Sequence, residues 1–318
     1  ARRRRGTSDR RRTTRSEPPV EIVVQGHAVS LPGVALLGVV FGFVAGVFGV
    51  GGGFLLTPLL NVVFGVPLPV AVGTGLGLMV GTSVPALLRH REQGQGDTRF
   101  GLIMLAGSLL GVDAGARTLD ALAQLGTVTF LGRTLPTASL FVQGGYVALL
   151  ATTSVVFWRQ GGAGAIDPLA FVRSGPLARL GPGPRIDLPG VPLRDVPVLP
   201  IAYLGLFLGF LAGLLGIGGG VALLPILIYG YGFPLRQAAG TGIVVLVATA
   251  SLGTFLHALR GHVHLSLVAA LLMGASLAAQ VGVLASRRLP VRVLRRSFAV
   301  LLVVTAATIV GNVFRGRG

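Results

Sequence analysis

The chain has 318 residues, 52% of them hydrophobic and 12% charged, with a mean hydropathy of +0.79. A soluble domain carries about 25% charged residues, and a water-facing fold of this size cannot hide so much apolar surface, which excludes the soluble enzyme classes. The formal charge of +17 comes from 27 arginines and no lysine, and the lack of cysteine excludes disulfides, thiolate catalysis and cysteine-based metal sites.

Residues 1–30 are polar, hold eight arginines in the first fifteen positions and lack hydrophobic periodicity, so a disordered tail is expected. A signal peptide fits poorly, because the apolar stretch that starts near Leu31 runs far past a 7–15-residue h-region. Arginine gathered in the tail and between hydrophobic runs is what anionic lipid surfaces and cytoplasmic loops select. The expected partner is the lipid bilayer, not nucleic acid.

Apolar runs follow at 34–65, 70–88, 100–123 and 136–158. A stretch rich in Pro, Gly and Arg, 159–197, reads as a connector. Runs return at 198–231, 237–258, 263–286 and 293–314. The first run of each half exceeds the ~20 residues of a spanning helix, and a glycine triplet cuts it, so each is expected to form two short helices. The predicted fold is an all-α polytopic membrane protein of about ten helical elements, with a first repeat at 31–158 and a second at 198–318.

The halves match in register. Setting residue n against n+167 from Gly38 to His90 gives 22 identities in 53 positions. Gly38, Gly42 and Gly46 fall on Gly205, Gly209 and Gly213; Pro67 falls on Pro234 and His90 on His257. The register still holds at Gly107/Gly274 and Gly115/Gly282. Duplicated halves with Gly/Pro-interrupted segments in corresponding places are the pattern of secondary transporters, and an odd number of crossings per half makes the repeats inverted.

Three sets of residues are candidates for chemistry. Gly49, Gly51, Gly52 and Gly53 align with Gly216, Gly218, Gly219 and Gly220, each set followed at the same distance by Pro58 or Pro225. Such a turn leaves N–H groups bare at a helix start, which suits an anion; it equally suits a tight helix crossing. A dinucleotide or phosphate loop is excluded, since Phe54 and Val221 stand where G-x-G-x-x-G needs glycine. Thr74 and Thr241, each between two glycines, can donate to a substrate oxygen or bond back to their own helix. Asp113 lies inside an apolar run opposite Gln280 in the register. A carboxylate there is expected either to carry a coupling proton or to pair with Arg117 one turn on. His90 and His257 end their runs beside arginines; His262 and His264 have neither Cys nor an acidic neighbour in sequence, so no metal is expected, and no cofactor.

The paired segments GVFGVGGGFLLTPLL and GLLGIGGGVALLPILI, followed by AVGTG and AAGTG, resemble those of the sulfite exporter TauE/SafE family, over about 34–314. The resemblance implies inner-membrane transport of small sulfur-containing anions such as sulfite or sulfonates, with the glycine turns, Pro58, Pro225, Thr74 and Thr241 as signature positions. The expectation is a transporter and no enzyme, exporting by alternating access and coupled to protons through Asp113. Uptake by the same residues and a passive anion channel are the alternatives. The Arg-rich tail, the 159–197 stretch and Asp113 itself depart from the usual family member.

Overall fold

The computed structural model describes residues 21–24, 27–48, 53–130, 133–160, 176–178, 181–191, 193–218 and 220–315. The Arg-rich segment 1–20, Gly49, Gly51, Gly52 and Gly219 lie outside them. Within lipid a backbone must satisfy its own polar groups, so apolar runs become helices. Among the described residues there are ten α-helices. The first five are α1 (Leu31–Phe48), α2 (Gly53–Phe64), α3 (Leu68–Glu92), α4 (Thr98–Gln124) and α5 (Thr137–Gln160); the second five are α6 (Val198–Leu215), α7 (Gly220–Pro225), α8 (Leu235–Leu259), α9 (Leu265–Arg288) and α10 (Val291–Arg315). Seven of them, α1, α3 to α6, α8 and α9, contain stretches long and apolar enough to cross a membrane. Leu110 on α4 and Leu277 on α9 are each 71% exposed, and such bare leucines belong against lipid. The all-α polytopic membrane fold holds.

The glycine breaks fall less symmetrically than expected. At 1.5 Å per residue, the 18 residues of α1 span about 27 Å, close to a full hydrocarbon core. Each long run therefore gives one near-full-length helix and one short one, not two short pieces. The second short helix, α7, passes at Pro225 into a π-helical turn, Ile226–Tyr231. Proline has no N–H to give the helix ladder, yet its register mate Pro58 is accommodated inside α2 without a change of winding.

Three antiparallel hairpins stand where no regular structure is expected. They are β1 (Glu21–Val24) with β2 (His27–Ser30), β3 (Thr127–Phe130) with β4 (Arg133–Pro136), and β5 (Arg185–Leu188) with β6 (Leu193–Pro197). Residues 21–24, 27–30, 185–188 and 193–197 are thus strands at the edges of the expected tail and connector. Each is short, includes β-branched residues and leads straight into a helix, too brief for a period-2 pattern to stand out.

Packing crosses between the halves. Helix α1 lies along α9 and α6 along α4, while α3 packs on α8 and α5 on α10. A Cβ on Gly38, Gly42 or Gly46 would run into the backbone carbonyls of Leu271, Ala275 and Ala279; one on Gly205, Gly209 or Gly213 would meet those of Met104, Ser108 and Val112. From the facing helices Gly274, Gly282, Gly107, Gly111 and Gly115 approach α1 and α6 as closely. These are backbone-to-backbone crossings of the small-residue type.

Asp97 caps α4. Its Oδ1 accepts from Phe100 N at 2.8 Å, its Oδ2 from Gly190 N at 2.9 Å, and the residue is 1% exposed. It therefore also pins the β5–β6 connection to the helix. Asp97→Ala is expected to lose about 1–2 kcal/mol, read as a lower thermal unfolding midpoint in detergent.

Candidate functional site

The start of α2 meets the glycine turn that ends α6. Gly216 ends α6 with φ 73° and its N–H bonds to Ala212 O at 2.8 Å; Gly218 follows at φ 60°, conformations that glycine adopts without a Cβ penalty. Gly53, the buried first residue of α2, faces the Gly216 carbonyl. The Met79 side chain fills the place a Cβ would take on Gly53 and packs against Gly218. Met79 is the twelfth of 25 residues in α3, and Leu246, which also abuts Gly218, is the twelfth of 25 in α8. Gly53 and the Gly216–Gly218 turn thus sit at mid-height of the two central helices.

Buried hydroxyls gather at the same point. Thr57 Oγ1 stands 3.0 Å from where a Cβ would project on either Gly75 or Gly216, and it is fully buried beside the Tyr146 hydroxyl. Tyr146, from α5, donates its hydroxyl to Leu215 O at 2.5 Å and so holds the last carbonyl of α6. Pro58 lies one residue beyond Thr57 inside α2, and Pro225 ends α7.

The Gly-Thr-Gly elements lie elsewhere. Thr241 Oγ1 accepts from Asp97 N at 2.8 Å, while Gly240 lies against Gln95 and Gly96. Thr74 Oγ1 accepts from His264 N at 3.4 Å, while Gly73 lies against His262 O. Both threonines thus dock the loop that precedes the neighbouring helix, at corners related by the 167-residue register. Gly75 alone of these elements borders the glycine turns.

Asp113 belongs to an ion-pair network at one of those corners. Its Oδ2 pairs with Arg117 Nε at 2.7 Å and its Oδ1 with Arg260 Nη2 at 3.2 Å. Arg260 Nε also reaches Asp120 Oδ2 at 2.8 Å, and Asp120 Oδ1 lies 3.7 Å from His262 Nδ1. His262 Nδ1 faces His257 Nδ1 at 3.5 Å, and His257 Nε2 faces Gly213 O at 3.1 Å. A carbonyl only accepts, so His257 carries its proton on Nε2 and takes a hydrogen bond on Nδ1 from His262. Burial holds His262 below its ordinary basicity, with Asp120 opposing and Arg260 adding to that shift. Gln280, the register mate of Asp113, is exposed on α9 and far from any such network in chain position.

Sequence reading missed Thr57, Met79, Tyr146, Asp120 and Arg260. Thr57 offered a signal in its place next to Pro58, one turn into the helix that follows the glycines. Asp120 lies seven residues, two helical turns, beyond Asp113, so the shared face was readable from helical spacing.

Ten helices among the described residues, seven of them long and apolar enough to cross a membrane, define a multi-pass membrane protein. The chain belongs to the sulfite exporter TauE/SafE family, whose model matches residues 34–309. It is similar to the probable membrane transporter protein YunE of Bacillus subtilis, at 22% identity over 87% of this chain and 96% of that one. It is also similar to the probable membrane transporter protein MJ0441 of Methanocaldococcus jannaschii, at 23% identity over 69% of each. No solved structure matches it.

Proposed function

We propose that the protein exports small sulfur-containing anions, of the sulfite or sulfonate class, by alternating access between two inverted repeats. The observation that carries this reading is the convergence of the α2 start on the Gly216–Gly218 turn, with the Thr57 hydroxyl buried beside it. The first N–H groups of a 12-residue helix favour an oxyanion, and Thr57 supplies a neutral donor. Gly49, Gly51, Gly52 and Gly219 are assigned to the same anion site by their place in the two aligned glycine motifs, and Gly218 and Gly220 by their place beside the Gly216 turn. Met79 occupies the space between and must rotate for an anion to enter, a motion that suits an unbranched thioether. Thr74 and Thr241 serve the substrate indirectly, by setting the loops that hold α4 and α9.

Counterflow of labelled sulfite, thiosulfate and sulfoacetate in proteoliposomes tests the reading. Thr57→Val is expected to raise KM about tenfold or more, the worth of one hydrogen bond to a charged group. Absence of counterflow with every anion would sink the transport mechanism, and downhill flux without counterflow would indicate a channel.

A further inference from the structure

We propose that His262 and Asp120 form a proton-binding site, and that occupancy of this site controls the bond between His257 of α8 and Gly213 of α6. The proposal rests on the transport reading for its consequence, though not for the existence of the site.

The two related corners are built alike but furnished differently. At one, His90 Nδ1 meets Gln95 Oε1 at 2.6 Å. At the other, the register replaces Gln95 by His262, and His257 meets an imidazole where His90 meets an amide. Both corners turn on a glycine of positive φ, Gly94 at 63° and Gly261 at 72°. Around Gln95 the register supplies no acid: Arg287 stands opposite Asp120 and Gln280 opposite Asp113 in sequence. A second imidazole and two carboxylates at one corner only, in an otherwise matched pair, make the two ends of the molecule respond differently to pH.

The groups facing His262 are known from every element around it. Helix α4 brings Asp120, and Asp113 behind Arg260; the end of α8 brings His257 and Arg260; α3 brings the backbone at Gly73. The side chain is 19% exposed, so a proton can arrive from water. With His262 neutral, its Nδ1–H is donated to His257, and Asp120 Oδ1 stands 3.7 Å away. A proton added at Nε2 makes an imidazolium; the Asp120 carboxylate 3.7 Å away then draws the Nδ1–H from His257, while Arg260 competes for the same carboxylate. His257 loses the donor at Nδ1 that held its proton on Nε2, and with the Nε2–H tautomer no longer fixed the α8–α6 tie at Gly213, three residues before the Gly216 turn, loosens. Uptake of one proton is thereby linked to freedom of the helix that forms one wall of the proposed anion site.

The full chain in nanodiscs decides the matter. Because burial keeps His262 less basic when folded than the ordinary value of 6.5, the unfolded chain binds this proton more readily. Stability is then complete above pH 6.5 and declines as pH falls through the folded value. Imidazole 15N resonances of His262 are expected to titrate below 6.5, and Asp120→Asn is expected to move that midpoint lower still. Thiosulfate keeps a constant charge near neutrality, so its counterflow rate reads the protein: about threefold faster at about pH 5.5 than at about pH 7.5 in the wild type, and flat in His262→Gln. That variant recreates the His–Gln pair of the other corner and is expected to fold. A His262 resonance that does not titrate, or a His262→Gln profile matching wild type, overturns the proposal. If no anion moves in either protein, the transport reading fails and the resonance titration alone decides the proton site.

Discussion

Gly209→Leu is expected to unfold the membrane domain or to leave it too unstable to purify, and Gly42→Leu to do the same. In each case the new Cβ would overlap a backbone carbonyl, that of Ser108 or Ala275. Backbone cannot rotate aside as a side chain can, so two helices must separate along their length. Overpacking of a close-fitted interior costs about 1–3 kcal/mol for modest side chains, and a leucine at a crossing of this kind lies at or above the upper end. Gly144→Leu on α5 is the control, because a Cβ there meets nothing within 4 Å. Thermal unfolding in detergent should separate the two classes: similar midpoints for all three variants would mean that the glycine rows are not what brings the helices together.

The second large effect is expected at Arg260. Its guanidinium pairs with Asp113 and Asp120 and also donates to Leu256 O at 2.9 Å, with its side chain only 23% exposed. Arg260→Gln leaves two carboxylates on one face of α4 without their shared cation. Removing one partner of a fully buried pair costs 3–5 kcal/mol; partial exposure reduces this to about 1–3 kcal/mol here. Arg117→Gln, at 74% exposure, should cost less than about 0.5 kcal/mol. Asp113→Asn falls between them, because Arg260 keeps Asp120. Equal losses for Arg260→Gln and Arg117→Gln would show the network to be a set of independent surface pairs.

Much of this was legible in the sequence. The aligned Gly38, Gly42 and Gly46 and their mates announced the crossing faces, because small residues every four positions have few other uses in a spanning helix. The glycine breaks, Pro67 and Pro234 marked the short helices, and the structure ends both with a left-handed glycine, Gly65 at 66° and Gly232 at 86°. The partners of those faces were not legible. Periodicity says which side of α1 is small, and nothing in it says that α9, rather than a neighbour in the same half, will cover it. The site was read in part for a similar reason. Thr74 and Thr241 stood out because each lies between two glycines, whereas Thr57 did not, and what divides them in the structure is that a loop amide reaches Thr74 and Thr241. Asp113 drew attention as a charge in an apolar run, whereas Asp120, near the polar end of the same helix, became important only once Arg260 and His262 folded onto it.

The exchange of helices between the halves has a consequence for biosynthesis. Helix α1 emerges early, but the residues that cover its glycine face, Leu271 to Ala279, lie more than two hundred positions later. At about 5–20 residues per second, that face waits some 10–50 s for its partner. During this interval α1 presents a bare small-residue stripe to lipid and to any other inserting helix. Neither half can mature alone, since each lends the other a helix, and assembly must finish after nearly the whole chain has been made. A protein built this way is vulnerable less to weak helices than to the wrong helix arriving first.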